Sequence, residues 1–193
     1  MRHGESGSPG GPALALLRSW VAPDAGQERL RRDYVAHLEA HPQGWARSGP
    51  PQHLTVGAVV LDATGSRTLL VLHGKAKRWY QPGGHVEAGD ADLAAAALRE
   101  AREETGLADL RLDPDPVHLD RHPLPGAFAC DEHLDVRFLA VAPVPERAQR
   151  SAESDDLRWW PVERLPEPSV EALVAAGRAR LRASLGNTPG GRS

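Results

Sequence analysis

Cysteine is nearly absent from this sequence, and so is any apolar run long enough to matter to a bilayer. One cysteine, Cys130, stands among 193 residues, so no disulfide can close within the chain, and such usage suits a reducing compartment. The longest wholly apolar stretches, such as Ala13–Leu17 and Ala58–Leu61, fall far short of the roughly 20 residues that cross a hydrocarbon core. A membrane-spanning helix is therefore not expected. The opening MRHGESGSPGG has no apolar region behind its charges and does not read as a secretion signal; the expected location is the cytoplasm. An excess of basic charge is missing too. Lys and Arg total 23 against 26 Asp and Glu, a net charge of −3, which gives no support to a nucleic-acid polymer as partner.

What is present is ordinary globular composition. Hydrophobic residues make up 40% and charged residues 25%, which excludes wholesale disorder. The length suits one generous domain carrying an added arm. Residues 1–12 are rich in Gly, Ser and Pro and read as a flexible tail, as do residues 186–193. Between Ala13 and Gly49 the pattern is helical: Leu30, Tyr34, Val35 and Leu38 recur at helical spacing behind Asp24, a natural N-cap. Gly44 and Ser48–Pro51 then break the chain.

Residues 50–185 follow a different layout. His53–Leu61 and Leu69–His73 read as strands around a turn at Asp62–Arg67. A Gly-containing loop at 81–90 leads into a helix over Ala91–Thr105, with Asp90 as N-cap and Gly106 as its left-handed stop. Strand patterns return at Val117–Arg121 and His133–Ala142, and Ser169–Leu185 reads as a last helix. Helices interrupting a mixed sheet predict an α/β layered domain.

The helix ending Arg99-Glu100-Ala101-Arg102-Glu103-Glu104-Thr105-Gly106 concentrates the chemistry. At about 100° per residue, Glu103 and Glu104 lie roughly 60° and 40° to either side of Glu100. Three carboxylates thus share one side of the last turn and a half. Like charges at this spacing cost roughly 0.2–0.5 kcal/mol per pair, and the helix C-terminus disfavours anions further. A hard divalent cation taking oxygen ligands reverses that sign. A solvated face neutralised by Arg99 and Arg102 is the plainer alternative.

Taken with Gly83-Gly84-His85-Val86-Glu87-Ala88-Gly89-Asp90, this helix resembles the Nudix box, which reads Gly, five residues, Glu, seven residues, then Arg-Glu-U-x-Glu-Glu-x-Gly-U, U being bulky and aliphatic. Gly84 opens it, and Arg99, Glu100, Glu103, Glu104, Gly106 and Leu107 match its second half. Two departures stand out. Asp90 replaces the first Glu with one extra residue before Arg99, and Ala101 replaces a bulky aliphatic.

The resemblance implies a Nudix-type α/β/α sandwich with a mixed β-sheet, preceded by the helical arm. It also implies a hydrolase of nucleoside diphosphate-linked or related diphosphate compounds, small molecules cleaved with Mg²⁺ or Mn²⁺ as cofactor, water attacking phosphorus. By position, Glu103 and Glu104 become the main metal ligands, Glu100 a further ligand or the base, Arg99 an orienting partner, and the Gly83 carbonyl a completing ligand. Some relatives take the base from outside the box, so Glu153 and Asp156, ahead of Trp159-Trp160-Pro161, are candidates; a solvated acidic loop is the alternative there. A Nudix-fold nucleotide sensor or interaction module is the competing function, although such modules commonly lose box carboxylates that this chain keeps.

Other residues are candidates for substrate contact. Lys75 and Arg78 lead into Trp79-Tyr80 and the box, where they suit phosphates or form a basic hairpin turn. His85 follows Gly84 at the rim. His133 and Asp135 share one side of a strand and, with His122, line a pocket or form that strand's wet face; the wet face is the simpler expectation. Cys130 reads as a plain thiol. The arm is free to cover the sheet, shape the pocket or make a homodimer contact.

Overall fold

The computed structural model describes residues 9–123, 130–150 and 154–186. Two helices come first, α1 (Gly10–Ser19) and α2 (Ala25–Ala40), followed by strands β1 (Gln52–Asp62), β2 (Arg67–His73), β3 (Trp79–Tyr80) and β4 (Gly83–His85). Helix α3 (Leu93–Thr105), strands β5 (Arg111–Pro123), β6 (Glu132–Ala142) and β7 (Ser154–Pro161) and helix α4 (Glu171–Gly186) complete the order. The sheet runs β3-β2-β1-β6-β5, with β4 also paired to β1 and β7 to β2. Its central β1–β6 pair is parallel, from Gln52 opposite Glu132 to Asp62 opposite Ala142, and the other pairings are antiparallel.

Because side chains alternate across a strand, β1 and β6 offer two apolar faces. Leu54, Val56, Leu134, Val136 and Phe138 meet Leu93, Ala96 and Ala97 of α3 and the arm in one cluster. On the opposite face Val59, Leu61 and Leu139 meet Leu173, Val174 and Leu181 of α4. Toward the N-terminal ends of β1 and β6 the α4 side turns polar, with buried Thr55, Asp135 and Arg137.

The arm closes the outer strand. Leu17 and Tyr34 are fully buried, each stabilising the layer by about 1.5–3 kcal/mol. Gln27 does what a neighbouring strand would do: its Oε1 accepts from Leu119 N at 2.6 Å and its Nε2 donates to Leu119 O at 3.0 Å. Trp20 Nε1 donates to Pro116 O at 2.7 Å, and the Tyr34 hydroxyl donates to Asp120 O. Covering β5 in this way removes an open sheet edge. Asp24 caps α2 as expected, accepting from Gly26 N and Gln27 N.

Several boundaries differ from the sequence reading. Helix α1 begins at Gly10, inside the segment read as tail, because Gly10 packs so closely on Trp45 that a Cβ there would meet its ring at 2.7 Å. Helix α3 starts at Leu93 with Asp92 as its cap, accepting from Ala95 N at 2.8 Å; Asp90 is unavailable for capping because Arg99 holds its carboxylate. The acidic segment after residue 153, for which a solvated loop is the alternative to a base, is strand β7, paired with β2 along Arg67–His73. As an outer strand it keeps charges on its exposed positions, which hides the alternation. Gly106 ends α3 at φ 68°, the left-handed stop expected of it.

Candidate active site

Strand β4 brings two glycines against the carboxylate side of α3. Gly83 and Gly84 pair with Gly57 and Val56 of β1, and the β4 backbone lies almost on the Glu100 carboxylate: a Cβ on Gly84 would stand 2.6 Å from Glu100 Cδ. Only a residue without a side chain permits that approach. Gly83 N donates to Glu104 Oε2 at 3.0 Å. The strand thereby fixes two of the three glutamates, while Glu103 remains 59% exposed and aimed outward.

Arg99 organises the remainder. Its Nε and Nη2 grip the two oxygens of Asp90 at 3.0 Å each, Nη1 donates to Glu100 at 2.9 Å and Glu103 at 3.3 Å, and Nη2 also donates to the His85 carbonyl at 2.9 Å. Such a planar fork is what a guanidinium supplies and an ammonium cannot. Burial pushes Asp90 up, but the Arg99 fork and the Glu87 N–H outweigh it and hold the carboxyl below its usual range. Glu100 is the reverse case: burial raises its carboxyl above the ordinary value in spite of Arg99.

Counting Glu87, Asp90, Glu100, Glu103 and Glu104 against Arg99 gives 1 − 5 = −4 around one strand–helix corner. A raised, buried carboxylate among other carboxylates is costly unless a cation joins them. The donors are all oxygen, the set that hard divalent ions such as Mg²⁺ and Mn²⁺ take. Residues and cation fit.

Beyond His85 lies the polar face of β1, β5 and β6. Asp135 is 4% exposed and Arg137 5%, so this is no wet strand face: the expectation for Asp135 is corrected. Asp135 accepts from Thr55 Oγ1 at 3.1 Å, Gln81 Nε2 at 3.3 Å and Arg137 Nε at 2.7 Å, and Arg137 Nη2 reaches Asp120 at 2.9 Å. The charges satisfy one another where α4 does not extend, so polar residues occupy a position that alternation marks as solvent. His133 and His85 face each other with ring centroids 5.2 Å apart. Both imidazoles are pushed down to about 4, chiefly by burial and then by neighbouring histidines, with Arg47 also acting on His85.

The basic hairpin takes the plainer of its two readings in part. Arg78 is paired with Glu167 at 2.8 Å and Lys77 with Asp155 at 2.5 Å, whereas Lys75 is exposed at the tip. Asp156 lies on β7 and pairs with Arg158 at 3.1 Å; Glu153 falls outside the described residues. Sequence reasoning missed Asp120, Thr55 and Gln81, each on a different strand or loop from its partner. The one signal available was the polar alternation of His133, Asp135 and Arg137.

Among the described residues no helix is long and apolar enough to cross a membrane. Comparison with known structures places the same fold in several proteins. An Ap4A hydrolase binary complex from C. elegans aligns with TM-score 0.55 at 22% identity, over 67% of this chain and 98% of that one. A NUDIX-family hydrolase from Clostridium perfringens gives 0.54 at 23%, over 68% and 97%. The NUDIX domain of Shewanella oneidensis NrtR, complexed with ADP ribose, gives 0.52 at 24%, over 77% and 97%. Comparison with curated proteins gives no match. The family model for the NUDIX domain matches residues 51–182, more than half of the chain, and with the box carboxylates, Arg99 and the two glycines in place this chain belongs to the Nudix hydrolase family.

Proposed function

We propose that the chain is a divalent-cation-dependent hydrolase of a small nucleoside diphosphate-linked compound, with water attacking phosphorus. The observation that carries this reading is the meeting of Glu100, Glu103 and Glu104 with the Gly83–Gly84 strand under the control of Arg99. Glu103, Glu104 and the Gly83 carbonyl would hold Mg²⁺ or Mn²⁺, which when bound neutralises diphosphate charge and acidifies water. Glu100, held against the Gly84 backbone beside these ligands, is the box carboxylate placed to accept the proton of that water. Arg99 keeps Glu100 and Glu103 pointed to the same corner, and Asp90 fixes Arg99 in turn. Preorganisation of this kind spares the transition state the cost of gathering charges.

For the non-phosphate part of the substrate, Gln81 stands next to the Gly83–Gly84 strand, and the exposed Lys75 at the hairpin tip is free of an ion pair among the described residues. The retained glutamates favour turnover over mere sensing. A panel of diphosphate compounds, Ap4A and ADP-ribose among them, assayed with Mg²⁺ and with Mn²⁺ for phosphate released after a coupling phosphatase, tests the reading. Cation-dependent release from at least one member is expected; no release from any member with either ion would overturn it.

A further inference from the structure

Outside the glutamate corner, the sheet assembles a second donor set of different chemistry. His53 and His133 are direct neighbours across the parallel β1–β6 pair, and His85 on β4 stands opposite Thr55 of β1. Register thus stacks three imidazoles on one face. Their ring centroids form a nearly equilateral triangle, His53–His85 5.2 Å, His53–His133 5.3 Å and His85–His133 5.2 Å. Three imidazoles on one tetrahedral ion at a metal–nitrogen distance of roughly 2.05 Å place their centroids about 5.2 Å apart.

Cys130 supplies a fourth donor. Its Sγ is 3.4 Å from His133 Nε2, where nitrogen and sulfur ligands of a tetrahedral zinc ion lie about 3.5 Å apart. The ligand atoms of His53, Cys130 and His133 fall within 4.8 Å of one another, while His85 stands outside that converged set with its ring beside them.

The state of the nitrogens points the same way. His53 is fully buried, and its Nδ1 lies 3.2 Å from the Pro50 carbonyl. With Nδ1 protonated for that bond, Nε2 carries a bare lone pair, and it has no hydrogen-bond partner. A backbone carbonyl on the far nitrogen is the usual outer support of a metal-bound histidine. His85 Nε2 is likewise buried without a partner. Two orphaned acceptors or donors in one cluster are unfavourable unless a ligand meets them.

We propose that His53, His133 and Cys130 bind one Zn²⁺ or similar borderline-soft divalent ion, and that the His85 ring turns its free Nε2 in to complete the set. Nitrogen and sulfur donors select such an ion over Mg²⁺. Four protein ligands make a closed site of structural type, tying β1, β4 and β6 together beside the box. This assignment replaces the substrate-contact role expected of His85 and His133, and it does not depend on the proposed hydrolysis.

The test uses the full chain, stripped with EDTA, desalted and titrated with Co²⁺. One equivalent should produce intense visible d–d bands of a tetrahedral site and a thiolate-to-cobalt charge-transfer band, both bleached by one equivalent of Zn²⁺. Cys130→Ser should abolish the charge-transfer band and weaken Zn²⁺ at least about 100-fold, beyond the 10–100-fold typical of outer-shell partners; His53→Asn should weaken it similarly. Glu103→Gln/Glu104→Gln should bind Zn²⁺ as the wild type does. Cys130 is only partly buried, so its variant keeps the test open if His53→Asn fails to fold. A folded wild-type chain without the charge-transfer band would overturn the proposal. So would Co²⁺ binding that survives Cys130→Ser and disappears in the box double variant.

Discussion

Replacing Arg99 by Met keeps much of the side chain's length and apolar contact while removing the charge that holds the box together. The guanidinium makes two bonds of 3.0 Å to Asp90, whose side chain is 7% exposed, and a third of 2.9 Å to Glu100, 16% exposed. Breaking a fully buried pair from one side costs about 3–5 kcal/mol; Arg99 itself is 23% exposed, so water offsets part of the loss and about 2–3 kcal/mol is expected. For a domain of this size that is a fall of roughly 4–12 °C in melting temperature.

The pH dependence carries the diagnosis. Asp90 titrates below its usual value in the folded chain. Its ion pair therefore adds stability above the ordinary carboxylate pKa of about 3.9, and that stability is lost as pH falls through the folded value. The gap between wild type and Arg99→Met should be widest at neutral pH and narrow below about pH 3.5. Arg99→Lys should recover less than half, since an ammonium cannot grip both Asp90 oxygens and Glu100 together. Thermal unfolding followed by circular dichroism at both pH values measures this. An equal gap at both would refute the electrostatic account and leave only lost packing.

Three further outcomes follow from the same geometry. Gly84→Ala places a methyl 2.6 Å from the Glu100 carboxylate; with the helix still folded by circular dichroism, kcat should fall about 10–100-fold from the displaced carboxylate alone, and unchanged turnover would mean that Glu100 is not used. Adding about 10 mM MgCl₂ should raise the melting temperature by about 2–4 °C if Kd is near 1 mM, against NaCl at matched ionic strength, and the gain should vanish in Glu103→Gln/Glu104→Gln. Gln27→Leu leaves the Leu119 N–H and carbonyl unpaired and should cost about 1–3 kcal/mol, read as a lower urea midpoint with an unchanged slope.

Much of this arrangement was legible in the sequence because it is local. The box lies on one loop and one helix, so its spacing alone reports that Glu100, Glu103 and Glu104 share a side and that Gly106 stops the helix. The arm's cap at Asp24 and its buried Tyr34 and Leu38 are equally short-range signals. What stayed hidden depends on pairing across strands. That His53 meets His133, and Asp120 meets Arg137, follows from the β1–β6 and β5–β6 registers, which no single segment encodes. The burial of Asp135 was misjudged for a related reason: its charge is satisfied by Arg137, Thr55 and Gln81 from two strands and a loop. Asp90 reads as a cap by position, yet the competing partner Arg99 is nine residues away and wins because a buried bidentate ion pair is stronger than a capping bond.

The claim on which the account rests is that the glutamates of α3 carry the hydrolysis. Its most direct measurement is steady-state turnover of Glu103→Gln and Glu104→Gln on the best substrate of the panel, at saturating Mg²⁺ and with folding verified. Each substitution keeps the side chain's shape and removes one anionic oxygen donor. The account predicts that kcat falls about 10²–10⁴-fold in each, equivalent to roughly 3–5 kcal/mol of transition-state stabilisation. Turnover within a few-fold of wild type in both single variants would contradict it.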